Sequence, residues 1–140
     1  MPTVRAEIEL LAPPEDVWAF LSEPYHFPDW WPGLAAVQPD RRGFAEGARW
    51  QLRGSEPTLF RRGHGTAQLV VRRVEREAVF AFHLVQARLD AELALEPRGP
   101  DRTHASLTVS APFWILGFQR ALPRRALGRL HDLCQTAAGL

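Results

Sequence analysis

The chain has 140 residues and a formal net charge of +1, which predicts one domain and argues against an electrostatic nucleic-acid binder. A single cysteine, Cys134, excludes an internal disulfide and a cysteine-cluster metal site. Arg5, Glu7 and Glu9 interrupt the first apolar stretch, so we expect no signal peptide. No apolar run approaches the roughly 18 residues of a membrane span. We therefore expect a cytoplasmic protein without stable membrane insertion.

The first part of the chain predicts a strand followed by two short helices. Residues 3–10 alternate polar and apolar side chains with the period of two of a half-buried strand. Two consecutive prolines end it, since proline donates no ladder hydrogen bond. An apolar stripe then predicts a helix that begins at Pro14 and stops at Pro24. Residues 25–31 predict a second short helix or turn before a Pro-Gly stop.

The middle of the chain predicts about six further strands joined by short turns. They cover residues 34–41, 48–53, 62–75, 78–88, 89–96 and 104–111. Both faces of 78–88 are apolar, which favours a central position in the sheet. Short connections between consecutive strands imply antiparallel pairing.

From Pro112 onward the apolar period becomes helical, with most arginines off the apolar stripe. Pro123 lies inside this pattern. It should either kink the helix or separate a short leading segment from a main helix that begins near Pro123. The order β-α-α, then strands, then a long helix predicts an α+β fold in which an antiparallel sheet curves around that helix.

Three stretches and the last helix are informative together: AEIEL at 6–10, APPEDVWAFLSEP at 12–24, FPDWWPG at 27–33 and the closing helix at 123–138. In this order they resemble the START-like (SRPBCC) superfamily, which includes polyketide cyclases and dehydratases, plant ligand binders and lipid-transfer domains. The resemblance covers the whole chain, residues 1–140, as a single domain. It implies the helix-grip fold: a curved antiparallel sheet of about seven strands around a long C-terminal helix, with two short helices after strand 1. It also implies a cavity for a hydrophobic or amphipathic small molecule.

Ten residues are candidates to line that cavity, because aromatic and apolar side chains dominate the walls of small-molecule sites. They are Phe27, Trp30, Trp31, Trp50, Phe80, Phe82, His83, Trp114, Phe118 and Leu122. For each single residue, ordinary core packing is the alternative. Adjacent Trp30 and Trp31 cannot both point inward from one helical face, so we expect one of them to be partly exposed at a mouth or lid.

Polar candidates for chemistry are few. His83 has apolar neighbours on both faces and could be an anchor or an acid–base group inside the pocket; a satisfied or edge histidine is the alternative. Arg72 and Arg88 could bind a carboxylate or an enolate oxygen, or could simply be solvated. His64, His83 and His104 fall on three strands, but His104 lies on the polar face. We therefore predict no metal and no cofactor.

Three functions remain open on the sequence alone. The first is a carrier or sensor of a hydrophobic or aromatic small molecule such as a lipid, polyketide or isoprenoid quinone, acting without nucleic acid as a monomer or weak homodimer. The second is an enzyme of the aromatase/cyclase or dehydratase type, which would use His83 or an arginine for proton transfer or enolate stabilisation. The third is a partner-binding module. The scarcity of inward polar residues favours the carrier over an enzyme.

Overall fold

The computed structural model describes residues 2–54, 66–117 and 120–138, which form seven strands, four α-helices and one 3-10 helix. The strands are β1 (Thr3–Leu10), β2 (Leu34–Gln38), β3 (Arg49–Gly54), β4 (Thr66–Glu75), β5 (Val79–Leu84), β6 (Leu89–Pro97) and β7 (Thr103–Ser110). The helices are α1 (Pro14–Leu21), the 3-10 helix Pro24–His26, α2 (Phe27–Trp30), α3 (Phe113–Leu116) and α4 (Leu122–Ala138). The α+β fold predicted from the sequence is confirmed.

All seven strands form one antiparallel sheet in the order β1-β7-β6-β5-β4-β3-β2. The predicted central position of β5 is confirmed, since three strands lie on each side of it. Register shifts between Leu34 and Ala36 and between Val71 and Arg73 mark bulges, which bend a sheet. β1 and β2 lie at opposite edges, so the helical segment between them crosses the width of the sheet.

One face of the sheet is covered by helices. Alternate residues of β3, β5 and β6 are buried on this helix-covered face, and their neighbours point to the outer face. α4 packs against β1 and β7, while α2 packs between α4 and β2. The buried core therefore lies between this face and the helices.

Local side-chain chemistry sets where several elements end. The predicted strand 34–41 stops at Gln38 because the Asp40 carboxylate accepts hydrogen bonds from the amides of Arg42, Gly43 and Arg49. These bonds, that from Arg49 foremost, lower the pKa of Asp40. The turn that they close leads directly into β3.

Two further boundaries depend on backbone conformation. β5 ends at Leu84 rather than at Arg88, because Arg88 has a φ of 51° in the turn that follows. Of the two outcomes predicted at Pro123, the separate leading segment is the one observed. Pro123 is the second residue of α4, where its missing N–H removes no helical hydrogen bond. Residues 62–65 of the predicted strand 62–75 lie outside the described residues.

A hydrogen bond between the outer-face residues Glu7 and His104 makes the unfolding free energy depend on pH. His104 Nε2 donates to Glu7 Oε1 at 2.9 Å, and Arg5 lies 3.3 Å from the same oxygen. His104 first and Arg5 second lower the pKa of Glu7 below its ordinary 4.5. Because the folded pKa is below the unfolded one, this stabilisation is present above pH 4.5 and is lost as pH falls through the folded pKa.

We therefore expect Glu7→Gln to lower the free energy of unfolding slightly at neutral pH, and the difference from wild type to vanish in acid. Urea unfolding across a pH series measures it. Glu9→Gln is the matched control on the same strand face, since Glu9 makes no side-chain hydrogen bond among the described residues. A Glu7→Gln effect that persists unchanged in acid would contradict this origin.

Candidate functional site

Seven aromatic side chains converge on the helix-covered face, and we call them the aromatic cluster. Three come from α2 and its C-cap, one from the β2–β3 loop and three from strands β3 and β5. They are Phe27, Trp30, Trp31, Phe44, Trp50, Phe80 and Phe82. The α1–α2 segment crosses the sheet and thereby places Phe27, Trp30 and Trp31 opposite the four aromatic residues of the strands and the β2–β3 loop. Six of the seven were predicted as cavity residues, and the structure brings them together.

Phe27 lies at the centre of the aromatic cluster. Its ring centroid is 5.2 Å from that of Phe82 and 5.3 Å from that of Trp30, both edge to face. Trp31 stacks on it at 5.7 Å, and Trp50 meets it edge to face at 5.7 Å. These are favourable aromatic geometries, each contributing about 0.5–1.5 kcal/mol beyond the area buried. The cluster is thus a mutually packed unit.

The aromatic cluster is closed. Its six predicted members are between 1% and 3% exposed, so among the described residues these rings leave no open surface for a ligand unless a side chain moves. The Trp50 indole N–H donates to Gly43 O at 2.7 Å, so this polar group is already satisfied. The observed arrangement is therefore that of a core, and ligand contact requires displacement of at least one ring.

The expectation that Trp30 or Trp31 would be partly exposed is wrong. Trp30 is 1% and Trp31 3% exposed. The helix ends at Trp30, and Trp31 adopts extended torsions with φ −86° and ψ 121°. The two side chains therefore do not share one helical face, and they meet edge to face at 5.8 Å. Gly33, with a φ of 86°, then turns the chain into β2.

The structure does not bring the polar candidates to this cluster. His83 lies on the outer face of β5, opposite Phe80 and Phe82, because strand residues alternate sides. Its Nδ1 donates to Asp90 Oδ1 at 2.9 Å, so the cavity placement predicted for His83 is wrong. Arg72 is exposed at the β4 bulge, and Arg88 is exposed in the β5–β6 turn. Both arginines have the solvated positions named as their alternative.

The last three cavity candidates divide differently. Trp114 is 53% exposed, which contradicts its predicted place in the cavity. α3 has a single turn, and Leu116 is the residue of that turn whose side chain is buried. Leu122 is buried at the start of α4. Phe118 lies outside the described residues, as does His64. Among the described residues no group of three or more histidine, cysteine, aspartate or glutamate side chains is placed to hold a metal ion.

An open groove of about 500 Å³ lies between the β1–α1 turn and the C-terminal half of α4. Most of its lining is apolar, with two carboxylates. The lining residues are Leu11, Ala12, Pro13, Asp16, Phe20, Asp101, Leu133 and Cys134. Burial, and secondarily the charge of Asp16, raise the pKa of the Cys134 thiol to about 11. The thiol is therefore protonated at neutral pH and is a poor nucleophile.

Sequence reasoning missed the groove and also Phe44. Groove residues come from four separate stretches that meet only when β1 pairs with β7 and α4 lies along β1, so no sequence spacing links them. Phe44 stands in a turn between two glycines, where no periodicity applies. Its ring lies 4.6 Å from Phe80 and 5.3 Å from Trp18. Its isolation as the one large apolar residue of that turn was the available signal.

A family model described as "Polyketide cyclase / dehydrase and lipid transport" matches residues 1–134. No curated protein matches the sequence. Among solved structures, the protein XoxI from Bacillus cereus superposes with a TM-score of 0.76 at 11% identity, covering 98% of both chains. The di-domain ARO/CYC protein BexL from the BE-7585A biosynthetic pathway gives 0.75 at 16%, covering 94% of this chain and 46% of that one. Truncated norcoclaurine synthase from Thalictrum flavum gives 0.68 at 14%, covering 99% and 94%. At these identities the likenesses establish the fold alone.

The raised thiol pKa makes a testable prediction for Cys134. We expect its alkylation rate by iodoacetamide, followed against pH, to have a midpoint near 11 in the native protein and near 9.0 in urea. Asp16→Asn should move the native midpoint downward, because it removes a negative charge that disfavours the thiolate. Restricted access of the reagent to the thiol slows alkylation at every pH without moving the midpoint, whereas desolvation of the thiolate moves the midpoint upward. Equal midpoints for the native and unfolded protein would contradict the prediction.

Proposed function

Because the chain belongs to the polyketide cyclase / dehydrase and lipid transport family, we propose that it binds and carries a hydrophobic or aromatic small molecule against the aromatic cluster. The observation that carries this proposal is the nonpolar character of the helix-covered face. Its aromatic rings offer a large apolar area with few conformations to restrict, which suits a flat or polycyclic ligand. The proposed protein is a cytoplasmic single domain, a monomer or weak homodimer, without nucleic acid as a partner.

The buried polar side chains support a carrier. Among the described residues they are Thr103 and Ser106. The Thr103 hydroxyl donates to Ala12 O at 2.7 Å and is thereby satisfied. Ser106 alternates with the inward residues of β7, on the same side as His104. The inward side chains of the described strands therefore favour apolar contact with a ligand over proton transfer to it.

Entry of a ligand needs a movable part of the cluster, and α2 is the candidate. It has four residues, and its closing hydrogen bond runs from Trp31 N to Phe27 O at 2.9 Å. So short a helix has little stability of its own and depends on packing. The rings of Trp50, Phe80 and Phe82 instead stand on strands with ladder partners on both sides. We therefore expect α2 and Trp31 to yield first when a ligand enters.

A cyclase or dehydratase would need an acid, a base or an oxyanion donor beside the bound chain. The candidates from the sequence, His83, Arg72 and Arg88, lie away from the aromatic cluster. Their positions favour ligand binding over a reaction that these three residues would catalyse. We retain Phe27, Trp30, Trp31, Trp50, Phe80 and Phe82 as the proposed ligand wall.

Native mass spectrometry tests the carrier proposal directly. We expect protein purified from its own cells to carry a stoichiometric hydrophobic mass, which denaturing extraction then identifies. Trp31→Leu should lose most of it, because the ring removed contacts both Phe27 and Phe82. Leu10→Ala is the control, because it also removes a buried side chain. Leu10 lies in β1, and strands β7 and β6 lie between β1 and the cluster strand β5.

Thermal unfolding of both variants must show that they are folded at the assay temperature. If they are not, Trp31→Phe and Leu10→Val replace them, because these substitutions remove less buried volume. If Trp31→Leu and Leu10→Ala lose the bound mass equally, the loss follows from lower protein stability. That result would contradict a ligand-binding role for the aromatic cluster. A wild-type protein that neither carries a hydrophobic mass nor binds an added apolar fluorophore would overturn the proposal.

His83→Ala separates carriage from chemistry. Because His83 is bonded to Asp90 on the outer face, we expect the variant to retain the bound mass at the wild-type level. The same spectrometric measurement checks this. If the variant instead accumulates a larger or unsaturated precursor in place of the wild-type ligand, His83 takes part in a reaction and the carrier proposal is incomplete.

A further inference from the structure

The largest exposed apolar side chains of the described structure include an adjacent pair on α3. Phe113 is 75% and Trp114 53% exposed. α3 is a single turn in which Leu116 N donates to Pro112 O at 3.0 Å and Gly117 N to Phe113 O at 2.8 Å. Leu116, at 3% exposure, anchors the turn in the core. The fold therefore holds two large aromatic rings outward on a supported turn, where water contact is costly.

Four arginines follow within fifteen residues of Trp114. Arg120, Arg124, Arg125 and Arg129 are all exposed. Within the described parts of the chain none of the four makes an ion pair. The first turn of α4 holds no acidic residue, and Arg124 and Arg125 lie in that turn, at the positive end of the helix dipole. Residues 112–130 contain these four arginines and no acidic residue, although the whole chain has a net charge of only +1.

We propose that this aromatic–arginine surface, Phe113, Trp114, Arg120, Arg124, Arg125 and Arg129, docks the protein on an anionic lipid bilayer. Aromatic rings partition to the boundary between headgroups and acyl chains, and arginines beside them bind the phosphates. This chemistry is that of a peripheral, reversible contact. None of the helices among the described residues is long and apolar enough to cross a membrane.

The same charges argue against a second copy of the chain as the occupant. A symmetric contact through this surface would bring two sets of four arginines together, which like-charge repulsion disfavours. A bilayer of anionic lipids instead offers many phosphates to which flexible arginine side chains can adapt. The surface is distinct from the aromatic cluster, so this proposal does not depend on the carrier function.

Vesicle co-sedimentation tests the proposal with the intact chain. We expect tighter binding to vesicles of phosphatidylcholine mixed with phosphatidylglycerol than to phosphatidylcholine alone, and weaker binding at high salt. Phe113→Ser with Trp114→Ser should abolish binding. Arg124→Gln with Arg125→Gln should weaken it by about tenfold or more. Arg41→Gln with Arg42→Gln is the matched control, because it removes two adjacent exposed charges from the β2–β3 turn.

Quenching by brominated lipids shows whether the named residues enter the bilayer. Trp18, Trp30, Trp31 and Trp50 are all buried, so the emission quenched on binding should come from Trp114. Trp114→Phe should keep vesicle binding and lose the quenching. Both readouts use substitutions at exposed positions, which leave the fold intact.

Two results would overturn the proposal. One is co-sedimentation that is absent with both vesicle types or unchanged by Phe113→Ser with Trp114→Ser. The other is a wild-type protein that is dimeric and does not bind vesicles, together with a double variant that is monomeric. That result would show that the surface binds a second copy of the chain. Failure here leaves the bound hydrophobic mass untouched, so it is distinguishable from failure of the carrier proposal.

Discussion

Pairing between the first and last strands is the constraint on which the rest of the structure depends. β1 runs antiparallel to β7 from Thr3 opposite Ser110 to Leu10 opposite Thr103. The other strands follow one another by hairpins, so this ladder leaves β2 at the far edge. The segment between β1 and β2 has only one way to connect the two edges, which is across a face of the sheet. The Thr103–Ala12 hydrogen bond fixes the point where that crossing begins.

The crossing segment determines what the covered face contains. It delivers Phe27, Trp30 and Trp31 opposite β3 and β5, which supply the remaining strand aromatics of the cluster. The result is a dense aromatic core that stabilises the fold and is also the wall that we propose for an apolar ligand. Those two roles oppose each other, because tight packing excludes a ligand. A one-turn α2 between rigid strands and α4 is the physical feature that can reconcile them.

Polar chemistry is concentrated outside this core. The outer face carries the His83–Asp90 and His104–Glu7 pairs, whose members hydrogen-bond to each other across neighbouring strands. The groove beside α4 holds a protonated Cys134, and the α3–α4 region presents arginines with exposed aromatics. An apolar interior and exposed arginines close in sequence to α3 are the features on which the two proposals rest, carriage of a hydrophobic molecule and contact with an anionic bilayer. They suit proton-transfer catalysis by the outer-face histidines less well.

The sequence by itself determined the secondary structure, the antiparallel sheet with a central β5, and the helix-grip resemblance. Alternation of apolar residues and the positions of prolines are local properties, and they suffice for the existence of the strands and helices and for an interruption at Pro123. They did not decide between a kink and a break at Pro123, nor did they give the ends of β2 and β5. Three of the cluster aromatics, Trp50, Phe80 and Phe82, were also accessible from the alternation in β3 and β5, and Phe27, Trp30 and Trp31 were accessible from the family resemblance. Only the tertiary structure decided that Trp30 and Trp31 are both buried, since this depends on the extended backbone at Trp31. It also decided that His83 turns to Asp90, that Trp114 faces solvent, and that the groove exists. Each of these depends on which element lies beside the residue, and contacts between distant segments leave no periodic trace in a single sequence.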